Sequence, residues 1–270
     1  MSQGSTTERK SLLDFAVRLA REAGEIANQY FKGSFVTERK ADESLVTNAD
    51  RETEEYLRTA IEQAFPDDGI LGEEAVERIG TSGRRWIIDP IDGTYSFVHG
   101  VPLYAVLVSL EINRESVLGV VNLPAINELV YAARELGCFW NGEPACVSTT
   151  TSLEEALLLC TDFGDCEQHG FGAAAGDLQR RVNARRTWGD AYGHVLVATG
   201  RADIMLDPVM NVWDCAALFP IVEEAGGRFT DWRGRNTIHG GNAISTNALL
   251  FDPVMALIRE GTPHDNSSGN

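Results

Sequence analysis

Positive charge is scarce in this chain of 270 residues: 23 Lys and Arg stand against 40 Asp and Glu, for a net charge of −17. That balance opposes non-specific binding to nucleic acid or to an anionic membrane. It is compatible with metal ions and cationic small molecules, although a solvated acidic surface explains most of it. Paired cysteines are also missing. Cys138, Cys146, Cys160, Cys166 and Cys215 form no CxxC and are odd in number, which fits a reduced, cytoplasmic protein with structural thiols. A Cys160–Cys166 bridge stays open. No apolar run reaches bilayer length, and Met1 to Lys10 lacks the apolar core of a signal peptide. His99, His169, His194 and His239 have no metal-ligand spacing, which argues against histidine–zinc chemistry. No GxGxxG accompanies Gly226-Gly227, so that pair reads as a helix stop rather than a nucleotide loop. No internal repeat or low-complexity segment interrupts the chain.

What is present is ordinary globular material, 43% apolar and 23% charged, enough for a substantial core. Apolar residues at helical spacing predict helices over Ser11–Phe31 and Arg51–Phe65. Thr47-Asn48-Ala49-Asp50 supplies cap-type side chains ahead of the second helix. Short strands are expected at Ile70-Leu71, Trp86–Asp89, Tyr104–Ile112, Val117–Asn122 and Glu128–Arg134. Asn141-Gly142 marks a hairpin turn. These neighbours suggest a large antiparallel or mixed sheet. Beyond it, strands at Ala156–Thr161, Asp203–Leu206, Arg228–Asp231 and Ala243–Thr246 alternate with helices at Ala191–Thr199, Trp213–Ala225 and Pro253–Arg259. The result is α/β layering without a regular βαβ rhythm. Met1–Thr7 and Gly261–Asn270 are polar and turn-rich, so residues 1–8 and 263–270 are expected to be flexible tails.

The stretch richest in chemistry is Asp89-Pro90-Ile91-Asp92-Gly93-Thr94, behind Trp86-Ile87-Ile88. Two carboxylates three residues apart repel unless a cation sits between them, and hard divalent cations want clustered carboxylate oxygens. Gly93 and Thr94 add a tight backbone with amide N–H groups suited to phosphate. Further acids stand at Glu73-Glu74, Asp214 and Asp50. Alone, Asp50 and Asp214 read as helix caps and Glu73-Glu74 as a solvated loop. Arg180-Arg181 with Arg185-Arg186 reads as a solvated basic patch, one arginine of which could reach the active-site rim, and Trp188 and Trp213 read as packing residues.

Taken in order, Gly72-Glu73-Glu74, the hexapeptide with its strand, and Trp213-Asp214-Cys215-Ala216-Ala217 leading to Glu224-Ala225-Gly226-Gly227 resemble the inositol monophosphatase superfamily. Lys40 and Leu45–Asp50 match its early acidic segment, and the resemblance covers roughly Leu12 to Arg259. It implies a layered α-β-α-β-α sandwich, with residues 9–262 as one catalytic unit: a sheet-helix half over 9–150 and an α/β half over 151–262. It implies two or three Mg2+ ions, with Mn2+ as a substitute. Glu73, Asp89 and the Ile91 carbonyl look like ligands of the first metal, and Asp89, Asp92 and Asp214 of the second. Glu73 and Asp50, through water, would serve a third. Thr94 and Asp50 would orient the attacking water, with Glu73 beside them, and the Gly93 and Thr94 amides would hold the phosphate. This agrees with the physical reading, since metals acidify water and neutralise a leaving alkoxide.

The substrate reading rests on Arg186–His194, Asp203–Pro208, Asn211–Asp214 and His239–Asn247, which look like the histidinol-phosphate phosphatase branch. Ser96 stands where many inositol phosphatases carry Asn, and Tyr95 where that branch usually has Lys. Histidinol phosphate carries an ammonium and an imidazole, so acids beyond the metal ligands are expected to meet it: Asp190 and Asp207, with the Asn211 amide. By the resemblance Asp207 stands where inositol-specific members use Glu, so an acid there fits both substrates and Asp190 is the sharper discriminator. Asp190 could instead cap the Ala191–Thr199 helix. The leading expectation is a histidinol-phosphate phosphatase of histidine biosynthesis, acting as a homodimer on a small phosphate monoester. The alternatives are an inositol-1-monophosphatase or broad sugar-phosphate phosphatase and, more distantly, a non-catalytic metal- or ligand-binding member of the fold.

Overall fold

The computed structural model describes residues 6–41 and 43–261. The first helix, α1, spans Thr6–Tyr30. A small hairpin of β1 (Thr37–Arg39) and β2 (Leu45–Thr47) leads into α2 (Asn48–Ala64). Then come β3 (Gly69–Gly72), β4 (Arg84–Asp92) and the short α3 (Thr94–Val98). An antiparallel meander follows: β5 (Ala105–Ile112), β6 (Glu115–Leu123), β7 (Glu128–Ala133), β8 (Gly137–Trp140) and β9 (Glu143–Ala145). The second half holds β10 (Leu157–Cys160), α4 (Phe163–Gln168), α5 (Gly172–Arg181), β11 (Ala184–Arg186), α6 (Asp190–Ala198) and β12 (Ile204–Asp207). It ends with α7 (Val212–Glu224), β13 (Gly227–Thr230), β14 (Ala243–Asn247) and α8 (Phe251–Gly261).

Two sheets organise these elements. One has seven strands in the order β3-β4-β5-β6-β7-β8-β9, and the other five in the order β11-β10-β12-β14-β13. Only the β3–β4 pair of the large sheet is parallel. Alternation along its strands sends Trp86, Ile88, Val106 and Val108 to one face, where α1 and α2 bury Leu12, Leu19, Leu57 and Ile61. Ile87, Ala105, Leu107 and Val121 face the other way, onto Leu218, Ile221 and Val222 of α7. The small sheet closes over α6 and α7 with Phe229 and Ala243. Its outer face, Leu158, Leu206 and Ile244, is covered by Leu178 of α5 and Val254 and Leu257 of α8. The succession is the five-layer α-β-α-β-α sandwich.

The middle helix sits unusually close to the large sheet. Pro220 inside α7 has no N–H, which frees the Ala216 carbonyl four residues earlier. The hydroxyls of Ser109 and Ser116 lie 2.9 and 2.7 Å from that oxygen. Gly119 makes room: a Cβ there would stand 2.0 Å from the Ala217 oxygen. This contact fixes the height of α7, and therefore of Asp214 in its first turn, above the sheet.

Several boundaries differ from the sequence reading. Residues 6–8 of the expected N-terminal tail are helical. Residues 1–5 and 262–270 lie outside the described residues. α4, α5 and β11 are absent from the pattern reading, because GAAAGDLQRR buries little beyond Ala174, Ala175 and Leu178 and shows no long apolar stripe. Trp188 is exposed rather than packed. Cys160 and Cys166 are buried free thiols with sulfurs 3.7 Å apart.

Candidate active site

β4 does not stop at Asp89. It runs through Pro90 to Asp92, and Pro90, with no N–H to give the ladder, sits in a one-residue bulge. Asp89 is opposite Leu107 and Asp92 opposite Ala105, three steps on one strand against two on the other. In a regular strand, residues three apart face opposite sides. The extra residue cancels that half-turn and puts both carboxylates on the α7 face. Asp214 comes down from α7 to meet them. Single oxygens of Asp89, Asp92 and Asp214 all lie within 4.8 Å of one another.

These acids border a cavity of about 280 Å³, lined also by Glu73, Ile91, Gly93, Thr94, Tyr95, Asp190, Asn211 and Trp213. A second pocket of about 90 Å³ shares Asp92, Asp190 and Asp214, and adds Thr161, Asp165 and Asp207. Of the expected metal, catalytic and substrate residues, Asp50 alone borders neither cavity. It is fully buried and accepts hydrogen bonds from the Thr47 amide at 2.8 Å and hydroxyl at 2.5 Å. Thr94 bridges the two environments, its Oγ1 lying 3.3 Å from Asp50 Oδ1 and 3.0 Å from the Ile91 carbonyl oxygen.

The cap readings hold in part. Asp50 closes a capping box with Thr47 on α2, and Asp214 accepts the Asn211 amide at 2.6 Å, so each acid is oriented by the helix it starts. Asp190 is different. It makes no capping bond, and its φ of +53° places it in the left-handed region, which an Asp tolerates better than most residues. The first turn of α6 is met instead by Asp92, whose Oδ2 accepts the Ala191 amide at 2.8 Å. The Asp190 carboxylate lies over Gly93, 3.0 Å from where a Cβ would be; with its own φ of +76°, that position suits only glycine.

Crowding of like charges in a desolvated space raises the carboxyl pKa values. Burial, then Glu73, Asp92 and Asp214, push Asp89 well up. Burial, then Asp190 and Asp214, do the same to Asp92. Asp214 and Asp190 keep partial exposure at the cavity mouth, yet protein surrounds most of each. Burial raises both to about 7, Asp207 adding to the push on Asp190. Burial raises Asp50 to about 6 against the Thr47 bonds. Glu73 is raised by burial, although Lys40 opposes the shift. The Lys40 ammonium lies 2.7 Å from both Glu73 and Glu74, so Glu73 borders the cavity while sharing a cation with its neighbour. Buried carboxylates without a counter-charge are a poor structural device. Three hard oxygen donors at one point fit a divalent metal ion.

The sequence reading overlooked the supports. Glu54 on α2 is buried and accepts the Glu74 and Ala75 amides at 2.7 and 3.0 Å. Arg58 pairs with it at 2.7 Å and donates to the Ala75 and Val76 carbonyls. Together they clamp the loop that carries Glu73. The i,i+4 spacing of Glu54 and Arg58 announced an ion pair, but nothing local announced its loop. Thr161, Asp165 and His194 were likewise missed; the long-range fold brings them to the small pocket or behind it. None of Arg180, Arg181, Arg185 and Arg186 borders either pocket; all four are exposed.

Comparison with known proteins agrees with this geometry. The Inositol monophosphatase family matches residues 8–260. A protein named histidinol-phosphatase from Chlorobaculum parvum is 44% identical over 251 residues, covering 92% of this chain and 97% of that protein. A histidinol-phosphatase from Mycobacterium tuberculosis is 37% identical, covering 92% and 98%. A fructose-1,6-bisphosphatase/inositol-1-monophosphatase from Thermotoga maritima is 36% identical, covering 92% and 96%. The solved structure of the extragenic suppressor protein suhB from Bartonella henselae superposes with a TM-score of 0.87 at 30% identity, covering 93% and 99%. With the match running almost end to end and the acids meeting between two sheets, the chain belongs to the inositol monophosphatase family.

Proposed function

We propose that residues 9–262 form one catalytic unit, a Mg2+-dependent phosphatase whose substrate is histidinol phosphate, releasing histidinol and phosphate. The observation that carries this reading is the junction of two acidic pockets. One is a carboxylate cluster suited to metal and phosphate; the other shares Asp190 with it and adds Asp165 and Asp207, acids suited to a cationic group. Relatives named histidinol-phosphatase at 44% and 37% identity support the same substrate. A cytoplasmic homodimer of biosynthetic role is part of this proposal, in keeping with the free thiols and the family resemblance.

Asp89, Asp92, Asp214, Glu73 and the Ile91 carbonyl would hold two Mg2+ ions, with a third weakly held by Glu73 and, through water, by Asp50; Mn2+ would substitute. When bound, the metals supply Lewis acidity that lowers the pKa of water and offsets charge on the phosphate and the leaving oxygen. The remaining work falls to the protein. The Thr94 hydroxyl gives its hydrogen to Asp50 or to the Ile91 carbonyl, leaving a lone pair free to accept a hydrogen from water in the cavity. Asp50, with its pKa near 6, is suited to draw off that proton near neutrality. The Gly93 and Thr94 N–H groups stand at the start of α3, before any intrahelical acceptor, and hold the phosphate. The carboxylates of Asp190 and Asp207 and the side-chain amide oxygen of Asn211 accept from the amine end of the substrate.

The test is phosphate release from histidinol phosphate and from inositol 1-phosphate at matched concentration, with Mg2+ and with EDTA. A Mg2+-dependent preference for histidinol phosphate is expected. Asp190→Ser is expected to raise KM for histidinol phosphate about tenfold while leaving inositol 1-phosphate within about threefold. Equal effects on both esters would reduce Asp190 to a backbone role. An inositol or sugar phosphatase remains the second reading, favoured by the Thermotoga maritima relative.

A further inference from the structure

His194 lies outside every role assigned so far. It sits on α6 with no exposed surface, between the two sheets. Its Nδ1 is 2.7 Å from the Ser245 hydroxyl of β14. Its Nε2 is buried without a hydrogen-bond partner and stands 3.4 Å from Asp207 Oδ2 at the end of β12. A buried ring nitrogen needs a partner. With the Ser245 hydroxyl donating to Nδ1, the hydrogen sits on Nε2, and Asp207 lies within ion-pair distance of it without a formed hydrogen bond. The Thr161 hydroxyl donates to the same oxygen, Asp207 Oδ2, at 3.0 Å. The Thr161 oxygen in turn accepts the Asp190 amide at 2.9 Å. The Thr161 hydroxyl therefore holds Oδ2 of Asp207 and His194 Nε2 approaches the same oxygen, while no hydrogen bond engages Oδ1. Asp207 is almost fully buried, and the side that remains open is the small pocket it shares with Asp165 and Asp190.

We infer that His194 is a positioning residue for substrate choice: held by Ser245, it anchors Asp207 so that the free carboxylate oxygen points into the small pocket and receives a cationic group of the phosphate ester. The inference rests on the proposed phosphatase reading and deepens it. Carboxylates that recognise an ammonium must be held in place before binding, because an unanchored acid spends binding energy on its own ordering. Thr161 ties the Asp207 carboxylate to the Asp190 backbone, and His194 ties both to Ser245 on the small sheet. The metal-side acids are left out of this relay, so it separates recognition of the amine from the chemistry at phosphorus.

The experiment is steady-state kinetics on a cationic and a neutral ester, histidinol phosphate and inositol 1-phosphate, for wild type, His194→Phe, His194→Gln and Ser245→Ala. His194→Phe fills the space and removes both nitrogens. It is expected to raise KM for histidinol phosphate about tenfold, the size of losing an orienting partner behind a ligand, with a much smaller change in kcat and in KM for inositol 1-phosphate. His194→Gln, which keeps an N–H within reach of Asp207, is expected to recover most of that loss. Parallel losses on both esters, or no change in KM, would overturn the inference. Should His194→Phe fail to fold, Ser245→Ala decides: a KM increase of about threefold confined to the cationic ester is expected, and none would overturn it. Should wild type refuse histidinol phosphate, the substrate proposal falls by itself. The comparison is then made with phosphoethanolamine and glycerol 2-phosphate, where a wild type or a His194→Phe variant indifferent to the ammonium overturns the relay.

Discussion

A cavity larger than the candidate active site lies elsewhere in the described structure. It measures about 490 Å³ and lies between the β5–β6 turn, the end of α7 and residues 236–239; the acidic cavity measures about 280 Å³. The difference is in how charge is answered. In the larger cavity Glu115 pairs with Arg134. Glu223 accepts the Phe229 amide, and Glu224 the Glu135 and Gly137 amides, each at 2.9 Å. Those acids are occupied by the fold. In the smaller cavity no Lys or Arg is among the lining residues, Lys40 reaching only Glu73 and Glu74 from the side. Asp89, Asp92 and Asp214 converge without an internal cation. Unanswered charge, rather than volume, separates a site from a crevice.

The sharpest way to break that comparison is to neutralise one acid in each cavity. Asp92→Asn keeps an oxygen for the Ala191 amide and so keeps the start of α6, but removes a charge from the cluster. Turnover is expected to fall by at least about a thousandfold with circular dichroism unchanged. Glu115→Gln, in the larger cavity, is expected to leave activity within about twofold. Comparable losses in the two variants would dissolve the distinction.

A finer test uses Glu54, an acid that is buried yet fully answered. Glu54→Gln preserves one carbonyl acceptor but turns an amide toward the Glu74 or Ala75 N–H and weakens the pair with Arg58. The Glu73 loop loses its clamp rather than a ligand. Calorimetry is expected to show Mg2+ affinity reduced about tenfold, with kcat at saturating Mg2+ close to wild type. Unchanged affinity would mean that the loop holds itself.

These contrasts also mark what could be read from the chain alone. The hexapeptide, Glu73 and Asp214 were legible because each is a local cluster at an element end, and the capping boxes of Asp50 and Asp214 have a fixed local spacing. Helices with a long apolar face, such as α1, were placed to within a few residues. The bulge at Pro90 was not legible, since only pairing with β5 shows that the strand continues. Nor were Glu54, Thr161, Asp165 and His194, whose roles depend on loops and strands far away in sequence. Asp190 was found for its charge as a substrate residue; the alternative cap reading fails, since it makes no capping bond and its carboxylate lies over Gly93.

The smallest expected effect is also the most direct measure of unanswered charge. Asp50 titrates near 6, and Asp190 and Asp214 near 7, all through burial first; an unfolded Asp titrates near about 4. Between those values the folded, metal-free chain binds more protons than the unfolded chain, so its stability falls as pH rises. The loss from these three acids begins above about pH 4 and is complete once pH passes about 7. Exposed, salt-bridged acids such as Glu38 and Glu135 have lowered pKa values, set first by their arginine hydrogen bonds. They are ionised in both states above about pH 5 and add no slope there. In EDTA, the melting temperature is therefore expected to drop by a few degrees, roughly, from pH 5 to pH 8. Mg2+ replaces the missing protons as counter-charge, so the melting temperature it restores is larger at pH 8 than at pH 5. Thermal scans at the two pH values, with and without Mg2+, decide the matter: a flat metal-free profile, or an equal Mg2+ gain at both, would show that the cluster is already neutralised within the fold.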